Sequence, residues 1–205
     1  MKVIGLTGPT GAGKSTLCAK FEELGIPCIN TDDIYHVLTS SSSPCLDELK
    51  LKFGNEIINN DGSLDRKLLA KIVFEDENSD ANLDVLNHIT HKHVFQKTNE
   101  LLTQYMNNGK KAAVIDAPVL FSSKMFVNAC DFIISVLCDK ELRIKRIMAR
   151  DNITHEKALA RINAQPDDSF FIENSDYYIY NSEAEEYMRN QLESILKKEE
   201  ILFDE

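Results

Sequence analysis

Along the chain, short apolar runs alternate with stretches whose apolar residues recur every three or four positions. Residues 3 to 7 form a β-rich apolar run that meets a glycine, and from Lys14 to Leu24 the residues Leu17, Phe21 and Leu24 fall at helical spacing. This predicts strand, loop, helix. Gly25-Ile26-Pro27 stops that helix, Cys28 and Ile29 suit a short buried strand, and Asn30 to Asp33 offer cap residues for another helix. From about residue 36 to 110 the pattern is helical, with turn signals at Ser40 to Pro44 and Asn59 to Gly62 and no strand pattern. Ala112 to Ile115 and Phe132 to Leu137 are the continuous apolar runs of parallel strands covered on both faces, with a loop expected between them. Asp139 to Arg150 reads as a helix, Asp151 to Asp168 as a polar stretch with a short helix near Lys157 to Gln165, and Tyr177 to Tyr180 as a last strand. Residues 182 to 198 close as an amphipathic helix with Tyr187, Met188, Leu192, Ile195 and Leu196 on one face.

Alternating strands and helices predict an α/β fold with a parallel sheet of about five strands, right-handed crossovers and ligands at the strands' carboxyl ends. Composition narrows the function. The longest apolar runs are far short of a membrane span, and the N-terminus enters a glycine loop without a signal-peptide core, so no membrane partner and a cytoplasmic location are expected. A net charge of -10 repels polyanions, which argues against a nucleic-acid partner. An anionic small molecule must then meet a local basic cluster, and four of the six arginines, Arg143, Arg146, Arg150 and Arg161, fall within nineteen residues. The five cysteines are odd in number and form no C-x-x-C pair, which predicts reduced core thiols. A monomer satisfies the pattern.

Gly8-Pro9-Thr10-Gly11-Ala12-Gly13-Lys14-Ser15 fits G-x-x-x-x-G-K-[ST] without a mismatch, and Thr16 follows. In such a phosphate loop, or P-loop, glycines let successive N–H groups turn inward as an anion nest, and the helix that follows adds its positive dipole end. Gly8, Gly11, Ala12, Gly13, Lys14, Ser15 and Thr16 are therefore expected to hold ATP, with Lys14 bridging the β- and γ-phosphates and Ser15 a ligand for magnesium. The loop alone does not choose among hydrolases, switches and kinases. Asp116 ends a strand, where it could reach magnesium through water or cap a turn. Asp32 follows the second strand, where it could face the γ-phosphate as a general base or cap a helix. Arg143, Arg146 and Arg150 are three and four apart and so share one helix face, expected to lie opposite Leu142 and Met148 at the sheet. Such a cationic face can close over a nucleotide, Arg146 on ATP and Arg150 on the transferring phosphoryl group, or can be a solvated stripe.

From residue 1 to about 181 the chain resembles the dephospho-coenzyme A kinase family. Asn30-Thr31-Asp32-Asp33-Ile34-Tyr35-His36 resembles the family's D-A-D-x-I-A-H element, and Phe53-Gly54 followed by Asp61-Gly62-Ser63-Leu64-Asp65-Arg66 resembles F-G…D-G-x-L-x-R. Pro118-Val119-Leu120-Phe121 is similar to P-L-L-F, and Arg146 to Asp151 to R-L-x-x-R-D. Arg161 to Gln165 and Asp176 to Asn181 are similar to R-I-x-x-Q and A-D-x-x-I-x-N. The resemblance implies Asp32, Lys14 and Arg150 as catalytic residues and dephospho-coenzyme A as the acceptor, met by Asp32, Arg66, His91 and Pro118. Local pattern selects His91 for the family histidine, ungapped spacing His88. The chain departs from the family at Asn30 (aspartate), Ser122 (glutamate), Arg143 (glutamine) and at Phe170 and Phe171, where a polar lid segment is usual. It implies one P-loop kinase domain: a core of residues 1–35, 111–149 and 173–205, a helical substrate subdomain at 36–110 and a lid at 150–172. The rivals are another small-metabolite or deoxynucleotide kinase, and a nucleotide-binding regulator without turnover.

Overall fold

The protein is described by a computed structural model covering residues 1–75, 79–182 and 184–203. Five strands, β1 (Lys2–Thr7), β2 (Cys28–Asn30), β3 (Ala112–Asp116), β4 (Phe132–Leu137) and β5 (Tyr177–Tyr180), form one sheet in the order β2-β3-β1-β4-β5. The central strand runs parallel to both neighbours, with Leu6 level with Asp116 on one side and with Ile134 on the other, and β4 runs parallel to β5. Every residue of β3 and β4 is buried, as expected of parallel strands covered on both faces. This is the α/β sheet that the apolar runs predict, down to each of its five strands.

Ten α-helices are described. They are α1 (Lys14–Glu23), α2 (Thr31–Ser40), α3 (Pro44–Phe53), α4 (Arg66–Glu75), α5 (Ser79–Asn107), α6 (Lys124–Ala129), α7 (Lys140–Asp151), α8 (His155–Asn163), α9 (Asp168–Asn174) and α10 (Glu185–Lys198). The chain divides into two compact units, Met1–Ile29 with Gln104–Glu205, and Asn30–Thr103. In the first, β1, β3 and β4 meet α1 and α10 in a core that includes Leu6, Phe21, Val114, Ile134, Leu192 and Leu196. In the second, α3, α4 and α5 close over Leu49, Phe53, Ile57, Leu69, Val73 and Ile89. Its helices are joined by a turn that forms one isolated antiparallel bridge, Ile58 to Leu64.

Three expectations are corrected. The segment between β3 and β4 is not all loop: a 3-10 turn (Leu120–Ser122) and α6 occupy it, with Phe126 buried. A second short helix, α9, follows the polar stretch, capped by Asp167, whose Oδ1 accepts from Phe170 N at 3.2 Å. Both are too short to display a helical period in sequence. On α7 the buried residues are Ile144, Ile147 and Arg143, while Leu142 and Met148 are half-buried at its flanks. Leu142 meets the sheet core and Met148 a small cluster shared with α8. The arginine stripe is thus split between the protein interior and the surface. The five cysteines are free thiols, as expected.

Candidate active site

The P-loop joins β1 to α1 through three glycines at positive φ, Gly8 (145°), Gly11 (78°) and Gly13 (98°). A Cβ at Gly8 would collide with the Val136 carbonyl, and one at Gly13 with the Asn181 amide, so neither position admits a side chain. Gly13 is the N-cap of α1 in the left-handed region, contributes no side-chain acceptor, and the first turn carries no acidic residue. The positive end of α1 is therefore left for an external anion. Lys14 folds back so that Nζ donates to Gly8 O at 3.2 Å, while Ser15 and Thr16 are exposed. Two N–H groups of this segment are bonded within it: Ala12 N donates to Pro9 O (3.1 Å) and Thr16 N to Gly13 O (3.1 Å). Ala12 itself is fully buried, so its side chain anchors the loop in the core.

The loop is gripped from outside by residues distant in sequence. Arg146 Nη1 donates to the carbonyls of Gly11 (3.4 Å) and Ala12 (3.3 Å), and its Nη2 to Asn181 O at 3.1 Å. Asn181 Nδ2 donates to the same Ala12 carbonyl at 2.8 Å. Arg143 Nε donates to Thr10 O at 3.0 Å, and Thr10 N donates to Gln165 Oε1 at 2.8 Å. Arg143, Arg146 and Asn181 thus occupy the carbonyls of Thr10, Gly11 and Ala12, while Gln165 takes the Thr10 N–H, so the loop's backbone is fixed by side chains from outside it. Gln165 and Asn181 lie in two of the matched sequence blocks, but no local signal marks them as site residues. Nothing local distinguishes a glutamine or asparagine that holds a loop from one facing water.

Beside the loop, Asp116 ends β3 and is buried, with Leu6 level on β1 and Ala117 N donating to Leu6 O at 3.1 Å. The Cys18 thiol on α1 is pushed above its ordinary range by its hydrogen bond with Cys28, by burial and by the nearby Asp116 carboxylate. Asp116 thus lies beside the helix that carries Lys14 and Ser15. Pro118 O accepts from Thr7 Oγ1 at 3.3 Å, which fastens the loop after β3 to the end of β1. Arg150 behaves differently from the other two arginines of α7. It is exposed and forms a two-pronged pair with Asp151, Nε to Oδ1 at 2.8 Å and Nη2 to Oδ2 at 3.0 Å. Arg161 shares that carboxylate, and the two guanidinium groups, Arg150 first, hold Asp151 down at about 2.

The remaining candidates belong to the other unit. Asn30, not Asp32 or Asp33, caps α2: its Oδ1 accepts from Asp32 N (2.9 Å) and Asp33 N (3.1 Å). Asp32 and Asp33 lie in the first turn, both exposed. Most of the Asp61 to Arg66 block is turn mechanics. Asp61 Oδ1 accepts from Ser63 N (2.9 Å), Gly62 has φ 85°, Leu64 is buried, and Asp65 caps α4 through Leu68 N (2.9 Å). Arg66 is exposed and leans on α2, with Nη2 donating to Thr39 Oγ1 at 3.1 Å and its guanidinium over the Tyr35 ring. His88 is exposed on α5, whereas His91 is half-buried and burial lowers its pKa. His93, which no motif selects, meets Glu48 Oε2 at 2.7 Å.

Comparison with known proteins agrees with this geometry. A family model described as dephospho-CoA kinase matches residues 2–186. A Bacillus cereus dephospho-CoA kinase is 35% identical over 200 residues, covering 98% of each chain. Among solved structures, a Thermus thermophilus protein superposes with a TM-score of 0.77 at 27% identity, over 96% of this chain and 97% of that one. The dephospho-CoA kinase from Campylobacter jejuni does so with a TM-score of 0.58 at 25% identity, over 96% of each. With its parallel sheet, its glycine-lined phosphate loop and these matches along nearly its whole length, the chain belongs to the dephospho-CoA kinase family.

Proposed function

We propose that the chain transfers the γ-phosphoryl group of ATP in line to the 3′-hydroxyl of dephospho-coenzyme A, giving coenzyme A. The observation that carries this is the P-loop: three positive-φ glycines before an uncapped α1, in a chain of this family. Lys14 leaves Gly8 O to bridge the β- and γ-phosphates, and N–H groups of the loop donate to the β-phosphate. Ser15 and Asp116 are the donors that suit magnesium, which would neutralise charge between the β- and γ-oxygens. Among the described residues no three His, Cys, Asp or Glu side chains are grouped to hold a metal ion alone, so such an ion would be held jointly with the phosphates.

Asp32 is assigned as the carboxylate that orients the attacking hydroxyl and accepts its proton. Its exposure in the first turn of α2, with capping left to Asn30, supports this. Arg150 is assigned to charge on the transferring group, which requires it to exchange Asp151 for phosphate. Arg66, His91 and Pro118 are assigned to the acceptor, residues 36–110 to the substrate subdomain, and residues 150–172 to the mobile lid. Among the described residues no helix is long and apolar enough to cross a membrane, which suits a cytoplasmic enzyme working on small molecules.

The test is ADP release, measured by a coupled assay, with ATP and magnesium against dephospho-coenzyme A, nucleoside monophosphates and pantetheine phosphate. Turnover is expected with dephospho-coenzyme A, and Lys14→Ala should abolish it without lowering the melting temperature. A nucleoside monophosphate turned over in its place would overturn the acceptor, and ATP binding without turnover would make the chain a regulator.

A further inference from the structure

Thr10, near the start of the P-loop, is held by both ends of its backbone. Its carbonyl accepts from Arg143 Nε at 3.0 Å and its N–H donates to Gln165 Oε1 at 2.8 Å. Arg143 is only 4% exposed, and its Nη2 has no hydrogen-bond partner among the described residues. A guanidinium this deep is costly, and an apolar side chain would pack there more cheaply. What the residue does must lie in the bonds its other nitrogens make. Nη1 reaches Asp168 Oδ1 at 3.5 Å, on the first turn of α9. That helix is pinned in turn by an aromatic trio, with Phe121 5.5 Å from Phe170 and 6.4 Å from the buried Phe171, ring centre to ring centre.

We propose that Arg143 is a positioning residue for ATP: a buried strut between α9 and the P-loop that fixes the Thr10 peptide through its Nε–H, not through its charge on phosphate. This rests on the nucleotide-binding reading above and adds which residue shapes the loop. Conformation matters here because an anion nest binds only when successive N–H groups converge. A loop free to rotate at Thr10 would lose that convergence before losing its fold.

Bond counting supplies the test. The amide nitrogen of glutamine stands as many bonds from the backbone as arginine Nε, so Arg143→Gln restores the donor without the charge. Arg143→Lys keeps the charge but puts a methylene where Nε was, and Arg143→Ala removes both. With the full chain, ATP dissociation constants from calorimetry and the KM values for ATP and dephospho-coenzyme A should be measured. Alanine should weaken ATP binding about tenfold, the scale of one charge-assisted hydrogen bond. The KM for dephospho-coenzyme A should stay within about twofold, and glutamine, unlike lysine, should recover ATP affinity to within about twofold. Arg143→Ala combined with Gln165→Ala should cost less than the sum of the two, since both hold one peptide. Rescue by lysine and not by glutamine would place the charge on phosphate and overturn the strut. So would unchanged ATP affinity in the alanine variant, or equal shifts in both KM values with a lower melting temperature. If alanine prevents folding, the glutamine and lysine variants decide alone. ATP affinity is read apart from turnover, so an inactive wild type would count against the kinase reading and leave the strut to its own result.

Discussion

Asp32 and Asp33 are adjacent, both exposed and of one charge type, so only their roles can separate them. Because Asn30 supplies the cap, neither carboxylate is needed to end the helix, and each adds only a favourable charge at its positive end. Asp32→Asn should therefore leave stability within about 0.5 kcal/mol yet lower turnover about a hundredfold or more, the usual scale for loss of a general base. Asp33→Asn should be mild in both respects. Steady-state rates with dephospho-coenzyme A check this, and a large loss only at Asp33 would move the assignment by one residue. The departures from the family also resolve at this scale. Asn30 keeps an oxygen acceptor for the cap, and Arg143 keeps an N–H at the reach of glutamine. The structure offers no corresponding account of Ser122, whose hydroxyl donates to Val119 O at 2.7 Å.

Among the elements, α2 is capped by a single side chain. Its first turn buries Thr31 and Ile34 but draws its two earliest capping bonds from one side-chain oxygen. Asn30→Ala should cost about 1 kcal/mol and lower the melting temperature by roughly 2–4 °C, while Asn30→Asp, an equivalent cap, should be near neutral. Thermal denaturation of the two variants checks this. Equal losses would mean that the side chain matters for something other than capping. Element lengths follow the same physics. The strands β3 and β4 were legible because continuous burial writes a continuous apolar run, and α1 and α10 because one buried face writes a helical period. The helices α6 and α9 bury one aromatic anchor apiece, Phe126 and Phe171, and a single residue has no period.

Taken whole, the chain carries its P-loop in the unit of residues 1–29 and 104–205, and Asp32, Arg66 and His91 in the unit of residues 30–103. A ligand stabilises the part of a protein it binds, by about 2.7 kcal/mol at a hundredfold excess over its dissociation constant. ATP with magnesium should therefore slow amide exchange chiefly in residues 7–17 and in the segments around Arg146, Gln165 and Asn181. Dephospho-coenzyme A should act chiefly within residues 30–103. Hydrogen-exchange mass spectrometry with each ligand alone tests the division. Protection of residues 30–103 by ATP would reverse the assignment of substrates to units.

The sequence by itself determined the sheet, its five strands and the phosphate loop. Each is written in contiguous residues: an apolar run, a glycine spacing, a lysine that begins a helix. It also set the turn at Asn59 to Gly62, where Gly62 N donates to Asn59 O at 2.9 Å, since turns are local. Tertiary structure decided what the arginines do. Arg143 reaches Thr10 across 133 positions, Gln165 reaches it across 155, and Asn181 reaches Ala12 across 169. A spacing of three and four placed Arg143, Arg146 and Arg150 on one helix face, but only packing could bury the first, set the second against the loop and leave the third with Asp151. Helical period fixes the direction of a side chain about its own axis. What stands in that direction is fixed by distant parts of the chain, and no local pattern records it.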